Sequence, residues 1–576
     1  MYRNIKRLLQ SVSIVLIGAF TTGCNFFQAG PDYDRSTADQ PTVQPDAQRS
    51  IVNWADASSG LRSMPSKGDV NLLVVPVEIK DFAESDYLNF NSQSGNVLKM
   101  MGGFSEEESW SLNNNDFNVD WPQLIEDSFF GETEDTGFES ISSFYEKSSY
   151  GQLRIHGVVS PVFKTEKTYD ELIDQMNSEG SKAVTDEIVS DVYQTFFKRE
   201  KIYDLEDFDS DGDRVVDGIW LVYDIPDSSM DPTMQLSSDL WWAYTTWNTD
   251  RTASSQGFNV YCWASKWFLI NGLYANFPYM DIFSNVKADA HTFIHETGHM
   301  LGLNDYYDTA GLYRTRNPAG GLIMMDHNVY DQDVYSKYLL GWVTPRQYWA
   351  DDLNTAQTIT LRPFVETGDC IVLNLPDNSG WVGEEYVILA YWTPTGLNLT
   401  DSENPYMSQL GIDEYYGFNQ PGIMAFQVDS RYLRYAPQGG VWTAIDEASE
   451  DEIINAEDDS YSEAFMLLTN NDTGNYEGLN YSVSDVQLML IDAQNQYAHM
   501  QLQTSRNFVT ADNSYLFHDG DTYDSSYLGL KGDALIAFHG DSYLAGEGLD
   551  TSLSTGIRVE FGPQNDAGAQ LTLSAE

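Results

Sequence analysis

Four of the chain's eight histidines fall between His291 and His327, and three of those occupy one short run, His291, His295 and His299. If that run is helical, His295 and His299 lie four residues apart on one face, where both imidazoles can reach a single zinc ion. Glu296, beside the first of them, is placed to take a proton from a metal-activated water, the task of a general base in metal-assisted hydrolysis. Gly302, three residues past His299, can end a helix abruptly and swing the chain back. Asp305, three residues further on, is then the third ligand that the spacing predicts. Tyr306, Tyr307 and Asp308 follow so closely that one of them could take the ligand role and leave the others to structural hydrogen bonds. Downstream, Gly320-Gly321-Leu322-Ile323-Met324-Met325 can lay a thioether floor beneath the metal, with Met325 the better candidate and Met324 the other. His327 either stabilises the tetrahedral intermediate of amide hydrolysis or is an ordinary surface-turn histidine.

A second metal signal precedes this one. Asp209, Asp211, Asp213 and Asp217 occupy positions 1, 3, 5 and 9 of a loop whose hard oxygen donors suit calcium. Position 6, where glycine normally supplies the turn, is Arg214 in this register. A register starting at Asp207 would put Gly212 there, but it loses the hydrophobic position that Val216 fills.

The elements that must position these residues read as an α/β region. A buried strand is expected at 70–79, a helix at 140–149 ending at Gly151, a strand at 153–159, a long helix at 170–198, a strand at 218–223 and the histidine helix at 286–301. After about residue 345 short β-prone runs (358–362, 385–391, 423–428, 487–491) alternate with turn-rich segments, which suggests an all-β architecture. The expected domains are 67–345 (catalytic), 346–504 (β-rich) and 505–576 (a small terminal β-domain). The acidic stretch 446–463 is expected to be a solvated loop.

With 31 Lys+Arg against 87 Asp+Glu, the net charge is −56, which repels phosphate backbones and excludes nucleic acid as a partner. Three cysteines cannot make a disulfide framework. Cys262 and Cys370 could pair or remain two buried thiols. At the N-terminus, Arg3, Lys6 and Arg7 precede a short apolar stretch that ends in Thr21-Thr22-Gly23-Cys24. This resembles a bacterial lipoprotein signal over 1–23, with Cys24 as the lipidated residue and 24–66 as a tether. The expected place is outside the cytoplasm, on a membrane but not across it. Nothing in the sequence sets the oligomeric state.

Taken together, the motifs resemble the immune inhibitor A family of bacterial secreted zinc metallopeptidases. The resemblance is carried by 140–157, 208–218, the histidine helix, 336–342, 385–389 and 421–429, in the expected order, and spans about 70–430. It implies an α/β zincin (metzincin-like) catalytic domain followed by all-β accessory domains, cleavage of protein substrates, zinc for catalysis and calcium for structure. One departure is that little chain remains for the inhibitory pro-segment known in that family. The rival expectation is a calcium-binding surface adhesion protein with a vestigial zinc site, against which the presence of Glu296 argues.

Overall fold

The computed structural model describes residues 64–82, 121–212, 214–225, 240–247, 257–270, 288–307, 316–403, 417–438, 441–448, 464–467, 470, 486–501, 509–532, 534–539, 550 and 552–576. The expected signal, Cys24, most of the tether, Asp213 and Asp308 lie outside them.

The first half is built on β1 (Gly68–Lys80), whose stretch from Leu72 to Val75 is wholly buried. Burial on both faces explains why this strand is an unbroken apolar run and not an alternating one. Helices α1 (Trp121–Phe130) and α2 (Ile141–Ser148) follow, α2 starting where the Ser140 side chain accepts from the Ser143 N–H. Next come β2 (Leu153–Val159) and β3 (Phe163–Thr168), both parallel to β1. The single long helix expected over 170–198 is instead α3 (Tyr169–Glu179) and α4 (Ser181–Tyr193), followed by a wider π-type turn over Gln194–Arg199. The break falls at Gly180, whose φ of 93° no helix can continue through. The sheet is completed by β4 (Gly218–Tyr223), β5 (Tyr244–Trp247) and β6 (Val260–Ser265), in the order β2-β1-β4-β6-β5. β5 runs antiparallel to β6 at the end of that order, and every other pairing is parallel.

The histidine helix, α5, spans His291–Met300 and is shorter than its expected N-terminal extent. Just before it, the Ala288 carbonyl is taken by the Gly137 N–H, and Asp289 accepts from the His291 N–H. Two short helices, α6 (Met324–His327) and α7 (Val334–Leu339), end this half.

The second half begins with β7 (Arg346–Tyr348), β8 (Gln357–Leu361), a one-turn helix α8 (Phe364–Thr367), β9 (Cys370–Asn374) and β10 (Glu385–Trp392). It continues through α9 (Leu399–Glu403), β11 (Gly422–Asp429), and a separate three-stranded sheet of β12 (Tyr432–Gln438), β13 (Val441–Ala448) and β14 (Ala464–Leu467). Asp446 and Glu447, expected in a solvated loop, are therefore paired in β13. β15 (Leu488–Leu490) closes a five-stranded sheet of order β15-β11-β10-β9-β7. After it come β16 (Thr522–Tyr523), the hairpin β17 (Gly529–Lys531) and β18 (Ala534–Ile536), then β19 (Ile557–Asn565) and β20 (Gly568–Ala575).

Alternation along β10 shows how the halves join. Tyr386, Ile388, Ala390 and Trp392 enter the core shared with the first half, whereas Val387, Leu389 and Tyr391 enter a second core with Leu571, Leu573 and Val559. The period-two geometry of a strand lets one sheet serve both cores. β8 pairs with β20, so the expected boundary near residue 504 falls within one packed unit, because residues 357–361 find their partner at 569–573.

Candidate metal centre

The end of α5 is set by the chain reversal that the glycine allows. Gly302, at φ 90°, donates to the His299 carbonyl and Leu303 donates to that of Gly298. These two bonds form a Schellman cap, which satisfies the last carbonyls and redirects the chain at once. The reversal carries Asp305 back over the helix, where its Oδ1 lies 3.0 Å from His295 Nε2 and 3.2 Å from His299 Nε2. The two Nε2 atoms are themselves 3.2 Å apart. Three donors around a tetrahedral zinc, with bonds of about 2.0 Å, are about 3.3 Å from one another. The triangle here is close to that.

The proton inventory of the two rings favours a cation. His295 Nδ1 donates to the Met324 carbonyl at 2.8 Å, and His299 Nδ1 donates to the Leu303 carbonyl at 2.7 Å. A carbonyl can only accept, so both neutral rings carry hydrogen on Nδ1 and turn the Nε2 lone pair inward. Two lone pairs and a carboxylate oxygen at 3 Å repel one another unless a proton or a metal lies between them. Burial disfavours the charged form of His299, but the Asp305 carboxylate outweighs it and pushes its pKa up to about 9. Burial raises the Asp305 carboxyl, and the two imidazoles more than reverse that, holding it well below the usual range.

The methionine segment packs against α5. A Cβ added to Gly298 would come within 2.4 Å of Met325 Sδ, so the thioether packs against the helix between the two histidines. The same segment supplies the Met324 carbonyl to His295, and Tyr306, next to Asp305, donates its N–H to the Met325 carbonyl. Met325 thus packs against α5, and Met324 contributes through its backbone. His327 pairs through Nδ1 with the buried Asp326 carboxylate, which also accepts from the Gly321 N–H. The Tyr307 ring stands between the His295 and His327 rings, with centroids 6.4 and 6.5 Å away.

Glu296 is buried, and its partner was not legible in the sequence. Thr245, on the edge strand β5, donates its hydroxyl toward the Glu296 backbone carbonyl at 2.7 Å and the carboxylate Oε2 at 3.1 Å. Cys262 Sγ, on β6, is 3.0 Å from the same hydroxyl. Burial and the nearby Glu296 push the Cys262 thiol up, which keeps it protonated and able to donate. Neither Cys262 nor Cys370 is in a disulfide, and both are buried, which decides between the two expectations.

Asp209 accepts from the N–H groups of Gly212 and Arg214, and Asp217 accepts from that of Ser210. Arg214 adopts φ 74°, the left-handed turn that position 6 needs in the register starting at Asp209. Among the described residues, however, Asp209, Asp211 and Asp217 do not form a converging donor group. A second group does converge: Glu385, Asp429 and His539, all buried. His539 Nδ1 lies 3.2 Å from Asp429 Oδ2 and 3.5 Å from Glu385 Oε1. Arg431 already grips both oxygens of Asp429, at 2.6 and 2.8 Å, so a cation is built into this cluster.

Residues 105–327 match the family model of the immune inhibitor A peptidase M6 catalytic domain. Over these residues the chain is similar to the catalytic domain of this family. It is accordingly a metalloprotease, a hydrolase, and M6 peptidases are zinc-dependent. The match ends at His327, so it includes α5, Asp305 and the methionine segment. No curated protein matches the chain.

Proposed function

We propose that this peptidase is a zinc endopeptidase acting outside the cytoplasm, with His295, His299 and Asp305 as metal ligands and Glu296 as general base. The observation that carries the reading is the triangle of donor atoms 3.0–3.2 Å apart, with both Nδ1 positions already committed to carbonyls. Zinc held there supplies Lewis acidity to a water and to the scissile carbonyl. Glu296, kept in place by the Thr245 hydroxyl, removes the water proton and delivers it to the leaving amine. His327, oriented by Asp326, donates toward the oxygen on which negative charge develops.

Glu296→Gln tests the assignment. It should retain near-stoichiometric zinc and lose proteolysis by a factor of about 10² to 10⁴. Retention of more than about a tenth of the activity would remove Glu296 from the base role. His327→Ala should keep zinc and lower turnover alone, and unchanged turnover would retire it.

Two further parts of the reading lie away from the centre. Lipidation of Cys24 would hold the protein on a membrane, consistent with there being no helix among the described residues long and apolar enough to cross one. A processed Cys24→Ala protein retained in washed membranes would contradict that anchor. Calcium at Asp209, Asp211, Asp213 and Asp217 would relieve the repulsion among crowded carboxylates. A thermal melt that does not move between chelator and millimolar calcium would count against it.

A further inference from the structure

The segment that bears Asp305 is not held by the first half of the chain alone. On one side of the aspartate, Asn304 Nδ2 donates to Gln487 Oε1 at 3.2 Å. On the other, the Tyr306 carbonyl accepts from Asn470 Nδ2 at 2.7 Å. Both partners are completely buried and lie well over 100 residues beyond the aspartate. Asn470 is fully engaged: its amide also donates to the Leu488 carbonyl at 2.8 Å, and its Oδ1 accepts from the Leu488 N–H at 3.0 Å. That pattern uses two donors and the acceptor, and it fixes which way the amide points. Gln487 is held at both side chain and backbone: its Nε2 donates to Tyr335 OH at 2.9 Å, and its backbone carbonyl accepts from the Asp429 N–H at 2.9 Å.

The approach to the methionine segment is tied to the same region. Leu490 donates to the Pro318 carbonyl at 2.8 Å, Asn317 donates to the His499 carbonyl at 2.8 Å, and Ala511 donates to the Gly320 carbonyl at 2.9 Å. The segment that continues into the Met324 carbonyl, and so orients His295, is therefore docked alongside β15. All these partners lie beyond the residues of the family match.

We propose that Asn470 and Gln487 are positioning residues of the metal centre, and that β15 and its flanks are a working part of the peptidase site. The inference rests on Asp305 being a zinc ligand. Asp305 reverses sharply over α5, and its two flanking residues are fixed by amides at the border of another sheet, Gln487 just before β15 and Asn470 bonded to Leu488 on it. Removing those amides leaves buried groups unpaired and lets the carboxylate leave the triangle. Partners that orient metal ligands typically cost 10–100-fold in metal affinity when removed. Asn470 and Gln487 act one residue away from the ligand, so the lower end of that range applies.

The test measures zinc dissociation constants of the full-length protein by competition with a chelating dye. Asn470→Asp is nearly isosteric but loses both donors, and Gln487→Met keeps the volume without the amide. Leu571→Ala, in the second core, is a control that lowers stability without touching the Asp305 segment. Asn470→Asp and Gln487→Met should each weaken zinc by about tenfold, whereas Leu571→Ala lowers the melting temperature and leaves zinc affinity unchanged. Asn470→Ser, which keeps a donor, replaces Asn470→Asp if the latter does not fold. Wild-type zinc affinity in the folded amide variants would overturn the proposal, as would an equal loss in Leu571→Ala. Asp305→Ala, measured alongside, separates the two readings. If it keeps zinc, the ligand assignment fails. If it loses zinc while the amide variants do not, only the positioning role fails.

Discussion

His295, His299 and Asp305 in the first half, and Glu385, Asp429 and His539 in the second, are both buried triads of metal-type donors. They differ in where the compensating positive charge comes from. In the second triad Arg431 makes two charge-assisted bonds to Asp429. Burial alone would raise the Asp429 carboxyl, yet Arg431 and His539 hold it well below its usual range. In the first triad both ring Nδ1 hydrogens point away to carbonyls, and the inward-facing atoms are acceptors. Both triads mix imidazole and carboxylate donors at close spacing; the proton and charge inventory is what separates the proposed metal centre from an internal ion network. A third arrangement stands one helical turn before His295. His291 lies between Asp289, at 2.7 Å, and Asp401 on α9, at 3.5 Å. Burial works against its charge, but the two carboxylates win and push its pKa up to about 10, so a proton does there what Arg431 does in the second triad and what the proposed metal would do in the first.

The largest effect that would sharpen this comparison comes from removing the built-in cation. Arg431→Met leaves Glu385 and Asp429 buried without their guanidinium, a change that costs about 3–5 kcal/mol. Chemical denaturation should show that loss while proteolysis at saturating substrate persists. If charge inventory is what distinguishes the triads, Arg431→Met combined with Asp305→Ala should be stabilised by added zinc, whereas Asp305→Ala alone should not. Zinc stabilisation of both proteins equally would break the comparison.

A smaller effect follows from His291. Its folded-state pKa lies above the unfolded value of about 6.5, so its stabilisation is complete below about pH 6.5 and is lost as pH rises toward about 10. The stability advantage of wild type over His291→Gln should therefore be greatest near pH 6 and shrink by pH 9. A pH-independent difference would mean that the imidazole is neutral in the folded protein.

What the sequence displays depends on how local each feature is. The histidine helix, its glycine stop, Asp305 and Met325 lie within one segment of chain, and spacing alone brings them near one another before any tertiary contact is known. The division of the 170–198 helix at Gly180 was also open to reading, since a glycine inside a helical pattern is a standing invitation to a break. Thr245 carries no such mark: it reaches Glu296 only because β5 returns antiparallel along β6 beside α5. Asn470 and Gln487 are more remote still, and become meaningful only once β15 is docked. The pairing of β8 with β20 could not be foreseen for the same reason, since strand partners more than 200 residues apart leave no local trace.

The central claim is that the first triad, and not the second, holds the catalytic zinc. Metal content per chain, measured by elemental analysis on dialysed protein, tests it most directly. Wild type and His539→Ala should each retain one zinc with proteolysis intact, and Asp305→Ala should lose both the zinc and the activity. A zinc that persists in Asp305→Ala but disappears in His539→Ala would contradict the account.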